Sequence, residues 1–489
     1  MKHYKNYNLL HKKQLFISVP ILFATSCGIS PQNESEEQIM PNILFILTDD
    51  LGIHDLGVYG NDFHETPHLD SLANYGVRFT QAYAASPVCS PTRASILTGK
   101  NPAELHLTDW IPGKPSWSSE KLLAPEFNHE LPSDEKTIAS MLKEIGYHTA
   151  SFGKWHLGDT TSLPTDHGFD INVAGSHSGL PPSYFYPYIK EDFILPDLST
   201  GGVEGEFLTD RLTDEALEWI QEKKDDPFFM FLSYFTPHIW LETKPELLEK
   251  YTVKAQYADF NASIDPVYAG MIETLDNNIG KIMEFLQYED LLENTIVVFY
   301  SDNGGVNRDL GLDPITDNGI FREGKGHLYE GGIRVPLIIY WKDQIEARTS
   351  DVPFISMDFV PTFGAMTGNN WDSGEGISFY DYLTQNIVPE RNAMHFHYPH
   401  YSYQLSTPSG AIRSGDYKLI EFFEDFSTEL YHIQKDPAES DDLSKIMPAL
   451  RDSLQNKLHK WRDEVNAAMP VPNPDYEKEE STSAAGEVL

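Results

Sequence analysis

Cys89 stands in the run PVCSPTRASILTG, Pro87 to Gly99, two residues ahead of Pro91 and four ahead of Arg93. Pro91 suits the first turn of a helix, where its missing N–H is not needed, and Gly99 suits the position just past the end. The free N–H groups and positive end of such a helix face an anion held beside Cys89, with Arg93 one short step along. This is the pattern of an oxyanion site with a thiol as the precursor of its nucleophile. A buried cysteine at a helix start would leave the same run without chemistry, and the groups elsewhere in the chain decide between the two.

Four oxygen donors stand at the ends of two strand-like runs. Asn42 to Thr48 (NILFILT) is a continuous apolar run, as in a parallel strand covered on both faces, and it ends in Asp49-Asp50. Thr295 to Ser301 (TIVVFYS) repeats the design and ends in Asp302-Asn303. In open α/β sheets ligands sit beyond the carboxyl ends of the strands, where these two pairs would meet. An oxygen-only set favours a hard cation, Ca2+ or Mg2+, over zinc. Singly, each pair is also a good turn sequence. Basic groups follow the same rule. His148 to Phe152 leads into Gly153–Gly158 with Lys154 and His156, Phe228 to Phe235 leads into Thr236-Pro237-His238, and Gly324–Gly332 with Lys325 precedes Val335 to Trp341.

Helix patterns lie between these runs and must position them. Ser133 to Ile145 opens with a serine cap, Asp210 to Lys224 has apolar residues at three- and four-residue steps, and Pro266 to Leu286 is longer and amphipathic. The alternation predicts a large α/β domain over 41–372, a doubly wound mixed sheet with helices on both faces. Residues from about 158 to 205 are rich in Pro, Gly, Ser and Tyr, the composition of irregular loops lining a cleft. Over 373–470 the pattern changes to hairpin strands, Ser409–Arg413, Tyr417–Phe422 and Glu429–Ile433, with a closing helix from Leu450 to Met469. This predicts a small antiparallel-sheet subdomain with a packed helix. The Pro-, Glu- and Ser-rich residues 471–489 read as a disordered tail.

A chain of 489 residues with 36 Lys+Arg against 74 Asp+Glu carries a formal net charge of -38. Such a field repels nucleic acid and acidic membrane surfaces, and it requires a local knot of cations wherever an anionic substrate binds. Lys2, Lys5, Lys12 and Lys13 precede an apolar run from Leu15 to Ala24 that is too short to span a bilayer. Ala24-Thr25-Ser26-Cys27 then resembles a bacterial lipobox. Residues 1–27 are expected to be an export signal with Cys27 lipidated, leaving 28–40 as a polar tether, a membrane contact only through the lipid, and a periplasmic or surface location. The two cysteines, Cys27 and Cys89, are thereby assigned to an anchor and to chemistry rather than to a disulfide.

The motifs PNILFILTDDLG, CSPTRASILTG, GKWHLG, TPH, YSDNGG and GKGHLYEGGIRVP occur in one order over nearly the whole exported chain. C-S-P-T-R is similar to the signature C/S-x-P-x-R. Together the motifs resemble a formylglycine-dependent, type I sulfatase of the alkaline-phosphatase-like superfamily. The resemblance implies that Cys89 is oxidised to formylglycine (3-oxoalanine) by a maturing enzyme, and that Asp49, Asp50, Asp302 and Asn303 hold Ca2+ together with the converted Cys89. It implies that Arg93 is a neighbour of the nucleophile and that Lys154, His238 and Lys325 face the sulfate. His238 is the first choice to protonate the leaving oxygen, and His156 is the base that removes a proton from the second diol hydroxyl so that sulfate departs.

Aromatic residues make up 12% of the chain, which suits a sulfated glycan, since ring faces stack on sugars. Algal polysaccharides such as ulvan or carrageenan and glycosaminoglycans are all compatible. His106, Trp110, Trp240, His397 and His400 are candidate substrate contacts. A phosphonate or phosphodiester hydrolase with the same nucleophile, and a glycan-binding lipoprotein without catalysis, are the alternative readings.

Overall fold

Burial on both faces explains why so many of the strands are apolar throughout. In the computed structural model, which describes residues 40–257, 264–308 and 314–476, nine strands form one sheet. They are β1 (Asn42–Thr48), β2 (Val77–Tyr83), β3 (His148–Gly153), β4 (Ile171–Val173), β5 (Phe228–Ser233), β6 (Thr295–Ser301), β7 (Arg334–Trp341), β8 (Arg348–Ser350) and β9 (Phe354–Ile355). Their order is β8-β2-β7-β6-β1-β5-β3-β4, with β9 also paired to β2. Only β7 runs against its neighbours, antiparallel to β2 and β6, so the sheet is mixed.

Alternation along β1 shows how the two faces are served. Leu44 and Ile46 join a core with Leu72 of α1 (Pro67–Tyr75), Leu212 of α4 (Leu208–Lys223) and Leu275 of α6 (Pro266–Tyr288). Ile43, Phe45 and Leu47 join the other, with Ile96 of α2 (Cys89–Thr98), Leu142 of α3 (Ile138–Glu144) and Phe363 of α7 (Phe359–Met366). A further helix of this region is α5 (Pro245–Lys254). Each fully buried Leu, Ile or Phe contributes roughly 1.5–3 kcal/mol from water exclusion, which is why register in these strands is strongly specified.

Caps fix the helix starts. Asp265 Oδ1 accepts from the N–H groups of Val267 and Tyr268 at 2.8 and 3.0 Å, with Pro266 in the first turn of α6. The expected helix from Ser133 begins later. Residues 132–135 form a turn, and Thr137 Oγ1 caps α3 by accepting from Ser140 N at 3.1 Å, while Ser140 Oγ accepts from Thr137 N at 2.9 Å.

The second sheet is antiparallel, in the order β10 (Met394–Tyr398), β11 (Ser409–Ser414), β12 (Tyr417–Phe422), β13 (Thr428–His432). One face, with Phe396, Tyr398 and Ala411, packs on Tyr83, Val88 and Ile333 of the large sheet's region. The other, with Ile412, Leu419 and Leu430, packs on Leu454, Leu458 and Trp461 of α8 (Pro448–Glu464). A buried ion cluster ties the sheets together: Lys418 Nζ lies 2.8 Å from both Glu330 Oε1 and Glu439 Oε1, and Tyr83 donates to Glu330 Oε2 at 2.7 Å. Of these four strands, β10 is the one that the sequence had not separated.

The expected tail is held at its start. Val471–Pro472 pair antiparallel with Leu122–Leu123, and Asn473 Nδ2 donates to Glu120 O at 2.8 Å. Two backbone pairings and one amide suffice there against an unfavourable composition. The export signal, Cys27, the tether up to Ile39 and residues 477–489 lie outside the described residues. Among the described residues no helix is long and apolar enough to cross a membrane.

Candidate active site

Helix α2 starts at Cys89 from an extended Val88 whose side chain makes no capping bond, so the first N–H groups take no bond from a cap side chain, and it ends at Gly99 in the left-handed region. Thr92 Oγ1 accepts from Ser86 N and donates to Ser86 O, pinning the link between β2 and α2. Arg93 then reaches, fully buried, across the ends of three other strands. Its Nε and Nη2 lie 2.9 and 2.7 Å from Asp302 Oδ2, and its Nη1 donates to Lys154 O at 3.0 Å and to Ser233 Oγ at 2.6 Å.

Asp49, Asp50, Asp302 and Asn303 converge, as the two strand ends predicted. Asp50 N donates to Asp302 Oδ1 at 3.2 Å and Asn303 Nδ2 donates to Asp50 Oδ1 at 2.8 Å. Asp50 adopts φ 62, which turns its side chain into the cluster. Asp49, Asp50 and His238 offer ligand atoms within 4.8 Å of one another. Asp49 Oδ1 and Asn303 Oδ1 are buried with no hydrogen-bond partner. Two orphaned hard oxygens in a buried acidic cluster fit a divalent cation, since such atoms are otherwise costly to leave unpaired. Burial pushes Asp49 well above the usual carboxylate range even though Lys154 Nζ stands at 2.7 Å. Burial also opposes ionisation of Asp50, but Lys325, His238 and Lys154 outweigh it and hold Asp50 below its ordinary value.

His156 faces the thiol. Its Nδ1 is 3.3 Å from Cys89 Sγ, and its Nε2 is 2.6 Å from Ile111 O. A carbonyl only accepts, so Nε2 carries the proton and Nδ1 presents a lone pair to Cys89. Burial first, and then the charge of Lys154, pushes the imidazole well below its ordinary pKa, which keeps it neutral. Burial pushes the Cys89 thiol up against the pull of Lys154 and Lys325, so an unconverted cysteine is a poor nucleophile here.

Lys325 Nζ and His238 Nε2 are 3.2 Å apart. His238 Nδ1 donates to Ile239 O at 2.7 Å, and burial with the nearby lysines pushes this imidazole to about 3. The proton at this corner therefore resides on Lys325 at neutral pH. Two glycines let the loops close in. Gly153 has φ 92, and a Cβ there would meet Ser233 O at 2.0 Å; Gly326 has φ 85, and a Cβ would meet Ser402 Oγ at 2.6 Å.

These groups floor a cavity of about 410 Å³ that exposes Asp50, Cys89, His156, His238 and Lys325. Its walls are mostly apolar and include Trp110, Ile239, Leu180, Tyr403 and Gln404. Of the five expected substrate contacts, Trp110 lines it and four do not. His106 is half-buried in the neighbouring loop, and its O accepts from Asn128 N. Trp240 is 50% exposed beneath Lys190 Nζ, one residue past Ile239. His397 donates from Nε2 to Ala468 O, packed against Trp461, and His400 Nε2 pairs with Thr108 Oγ1 at 2.8 Å. Tyr403, Gln404 and His177 to Leu180 were not foreseen; the irregular composition of 158–205 was the one signal that pointed to any of them.

Comparison with known proteins agrees with this geometry. The sulfatase family model matches residues 41–369, and the model for the C-terminal region of N-sulphoglucosamine sulphohydrolase matches 318–464. A sulfatase of Formosa agariphila is 28% identical over 92% of this chain and 93% of its own length. The N-acetylgalactosamine-6-O-sulfatase of Bacteroides thetaiotaomicron is 27% identical over 90% of this chain and 96% of its own. The solved structure of Ps i-CgsB in complex with k-i-k-neocarrahexaose is 28% identical and superposes with a TM-score of 0.73, covering 90% of this chain and 94% of that one. A matched domain, with its motif residues gathered at one rim of the sheet, makes this chain a member of the type I sulfatases of the alkaline-phosphatase-like superfamily, enzymes that hydrolyse sulfuric esters.

Proposed function

We propose that the chain removes sulfate from a carbohydrate sulfate ester, with Cys89 converted to formylglycine and a divalent cation, Ca2+ by the donor set, held by Asp49, Asp50, Asp302 and Asn303 and by the converted Cys89. One observation carries this reading: the Cys89 side chain, a neutral His156 and two orphaned oxygens share one buried corner with Lys154 and Lys325. The carbohydrate is supported by what the relatives act on or hold, an N-acetylgalactosamine sulfate and a neocarrahexaose. The apolar cavity walls with Trp110 and Tyr403 suit the leaving sugar.

The cation, when bound, polarises sulfate oxygens. Formylglycine, once hydrated, would supply two hydroxyls on one carbon, so that attack and release could use separate oxygens. The chain's own residues do the rest. The start of α2 and the buried ammonium groups of Lys154 and Lys325 balance charge that grows on the sulfate oxygens. Lys325, in hydrogen-bond reach of His238, holds the proton that the leaving sugar oxygen needs. His156 Nδ1 accepts a proton at the Cys89 position, its tautomer fixed by Ile111 O. Arg93 acts by position, holding Asp302 and the ends of β3 and β5 in place.

The test is sulfate release from a panel of defined sulfated oligosaccharides, with an aryl phosphodiester alongside, by protein matured in the presence of a formylglycine-generating enzyme. Turnover of sulfated sugars that vanishes in Cys89→Ala is expected; preference for the phosphodiester would overturn the proposal. The apolar run from Leu15 to Ala24 and the lipobox-like Ala24-Thr25-Ser26-Cys27 support export and lipidation of that cysteine, and mass spectrometry of the mature N-terminus tests this.

A further inference from the structure

A second cavity, of about 200 Å³, adjoins the catalytic one and is lined by Arg308, Arg322, Glu323, His327, Ser406 and Thr407 among others. A single ridge separates the two. His327 Nε2 donates to Gln404 O at 2.9 Å; Gln404 lines the catalytic cavity, while Leu405 and Ser406 line the second. Leu405 at the tip of this turn is 51% exposed. On the other strand of the ridge, Lys325 and His327 are two residues apart, so their Cα atoms are separated by at most about 7 Å. That is a span on the scale of neighbouring sugars.

We propose that this second cavity binds an anionic substituent, a sulfate ester or a carboxylate, on the sugar next to the one being desulfated. The inference rests on the proposed function and extends it from one sugar to two. In a chain of net charge -38, two arginines line this one cavity beside the active site, each held by a carboxylate: Arg308 by Glu323 at 3.4 Å and Arg322 by Glu429 at 3.6 Å. Arg322 is held rigid: its guanidinium stacks 3.9 Å from the Tyr329 ring centre and donates to Tyr431 Oη at 3.0 Å and Glu439 O at 3.1 Å. Arg308 has a half-exposed side chain with Nη2 3.4 Å from Glu323 Oε1, so its guanidinium is open to solvent on one side of that ion pair. Planar, always-charged guanidinium groups match the paired oxygens of sulfate or carboxylate. Glu323 Oε2 is buried with no hydrogen-bond partner and lies 3.8 Å from His327 Nε2. A carboxylate paired with Arg308 does not suit a bare anion. It does suit an anion carried on a sugar, whose hydroxyl would donate to that oxygen.

The experiment measures sulfate release by the matured enzyme from three versions of its best oligosaccharide substrate, in which the neighbouring sugar is neutral, sulfated or a uronate. One of the two anionic versions should lower KM about tenfold at unchanged kcat relative to the neutral one, and which anion does so identifies the natural occupant. Arg308→Ala should erase that advantage while leaving kcat and KM on the neutral substrate as they were, and Arg308→Lys should keep part of it. No gain from either anion, a gain that survives Arg308→Ala, or a loss on the neutral substrate equal to that on the charged ones would overturn the proposal. Absence of release from all three by the unmutated enzyme would overturn the proposed function instead.

Discussion

Lys325 Nζ lies 2.7 Å from each carboxylate oxygen of Asp50, and Lys154 Nζ stands at the same distance from Asp49 Oδ2. Two lysines thus balance the paired aspartates, while Asp49 Oδ1 and Asn303 Oδ1 accept no hydrogen bond. The fold of the site is therefore expected to survive removal of the cation, and its chemistry is not. Chelation should abolish turnover with little change in circular dichroism, and Ca2+ should restore it. At a hundredfold excess over Kd, the ion should stabilise the stripped protein by about 2.7 kcal/mol, an increment that Asn303→Leu should reduce.

Cys89→Ala should lower kcat by at least about a thousandfold, as for loss of a nucleophile in other covalent hydrolases. An aldehyde-reactive probe should label the matured protein and not this variant. Labelling that persists in Cys89→Ala would place the reactive carbonyl elsewhere.

Arg93 gathers Asp302, Lys154 O and Ser233 Oγ with no side-chain exposure. Removing one partner of a buried ion pair strands the other charge, so Arg93→Met should cost about 3–5 kcal/mol in urea unfolding of the stripped protein. A loss under 1 kcal/mol would show that the cluster relaxes without it.

His397 is buried and neutral, with its pKa pushed down from 6.5 to about 4, mainly by burial. An unfolded chain binds a proton at this residue below pH 6.5, whereas the folded chain does so only near 4. Stability is therefore lost as pH falls through that window. At pH 5 the loss amounts to about 2 kcal/mol. His397→Gln keeps a donor for Ala468 O and cannot titrate, so its unfolding midpoint should fall less between pH 7.5 and pH 5 than that of the unmutated protein.

Strands β1, β3, β5 and β6 and the rim where they meet were legible because a parallel strand must be apolar on both faces and then release its chain where ligands sit, and Asp49, Lys154, His238 and Asp302 all follow from that rule; β2, with Arg78, Thr80 and Gln81 among its seven residues, does not show that pattern and was not read. The wall of the cavity was not. Tyr403 and Gln404 reach it only through the turn Ser402–Ser406, whose approach depends on how the second sheet packs against Tyr83 and Val88. His397 looked like a binding residue for the same reason. Along β10 the side chains alternate, Phe396 and Tyr398 toward the large domain and His395 and His397 toward Trp461, and nothing local says which face is which. The start of α3 was misplaced because Ser133 and Thr137 are both good caps, and only Thr137 has Ser140 at the reciprocal position.

The reversed direction of β7 has a consequence for engineering. Because it runs against its neighbours, the segment carrying Lys325 arrives before its strand and still reaches the edge that Cys89, Asp49, Lys154, His238 and Asp302 reach after theirs. The proposed catalytic groups are thus crowded onto one border, away from the turns that enter β3 and β5. These exposed turns, at Gly146 before β3 and Asp225-Asp226 before β5, are sites where a tag, a fluorophore or a tethered carbohydrate-binding module can be spliced in without disturbing turnover.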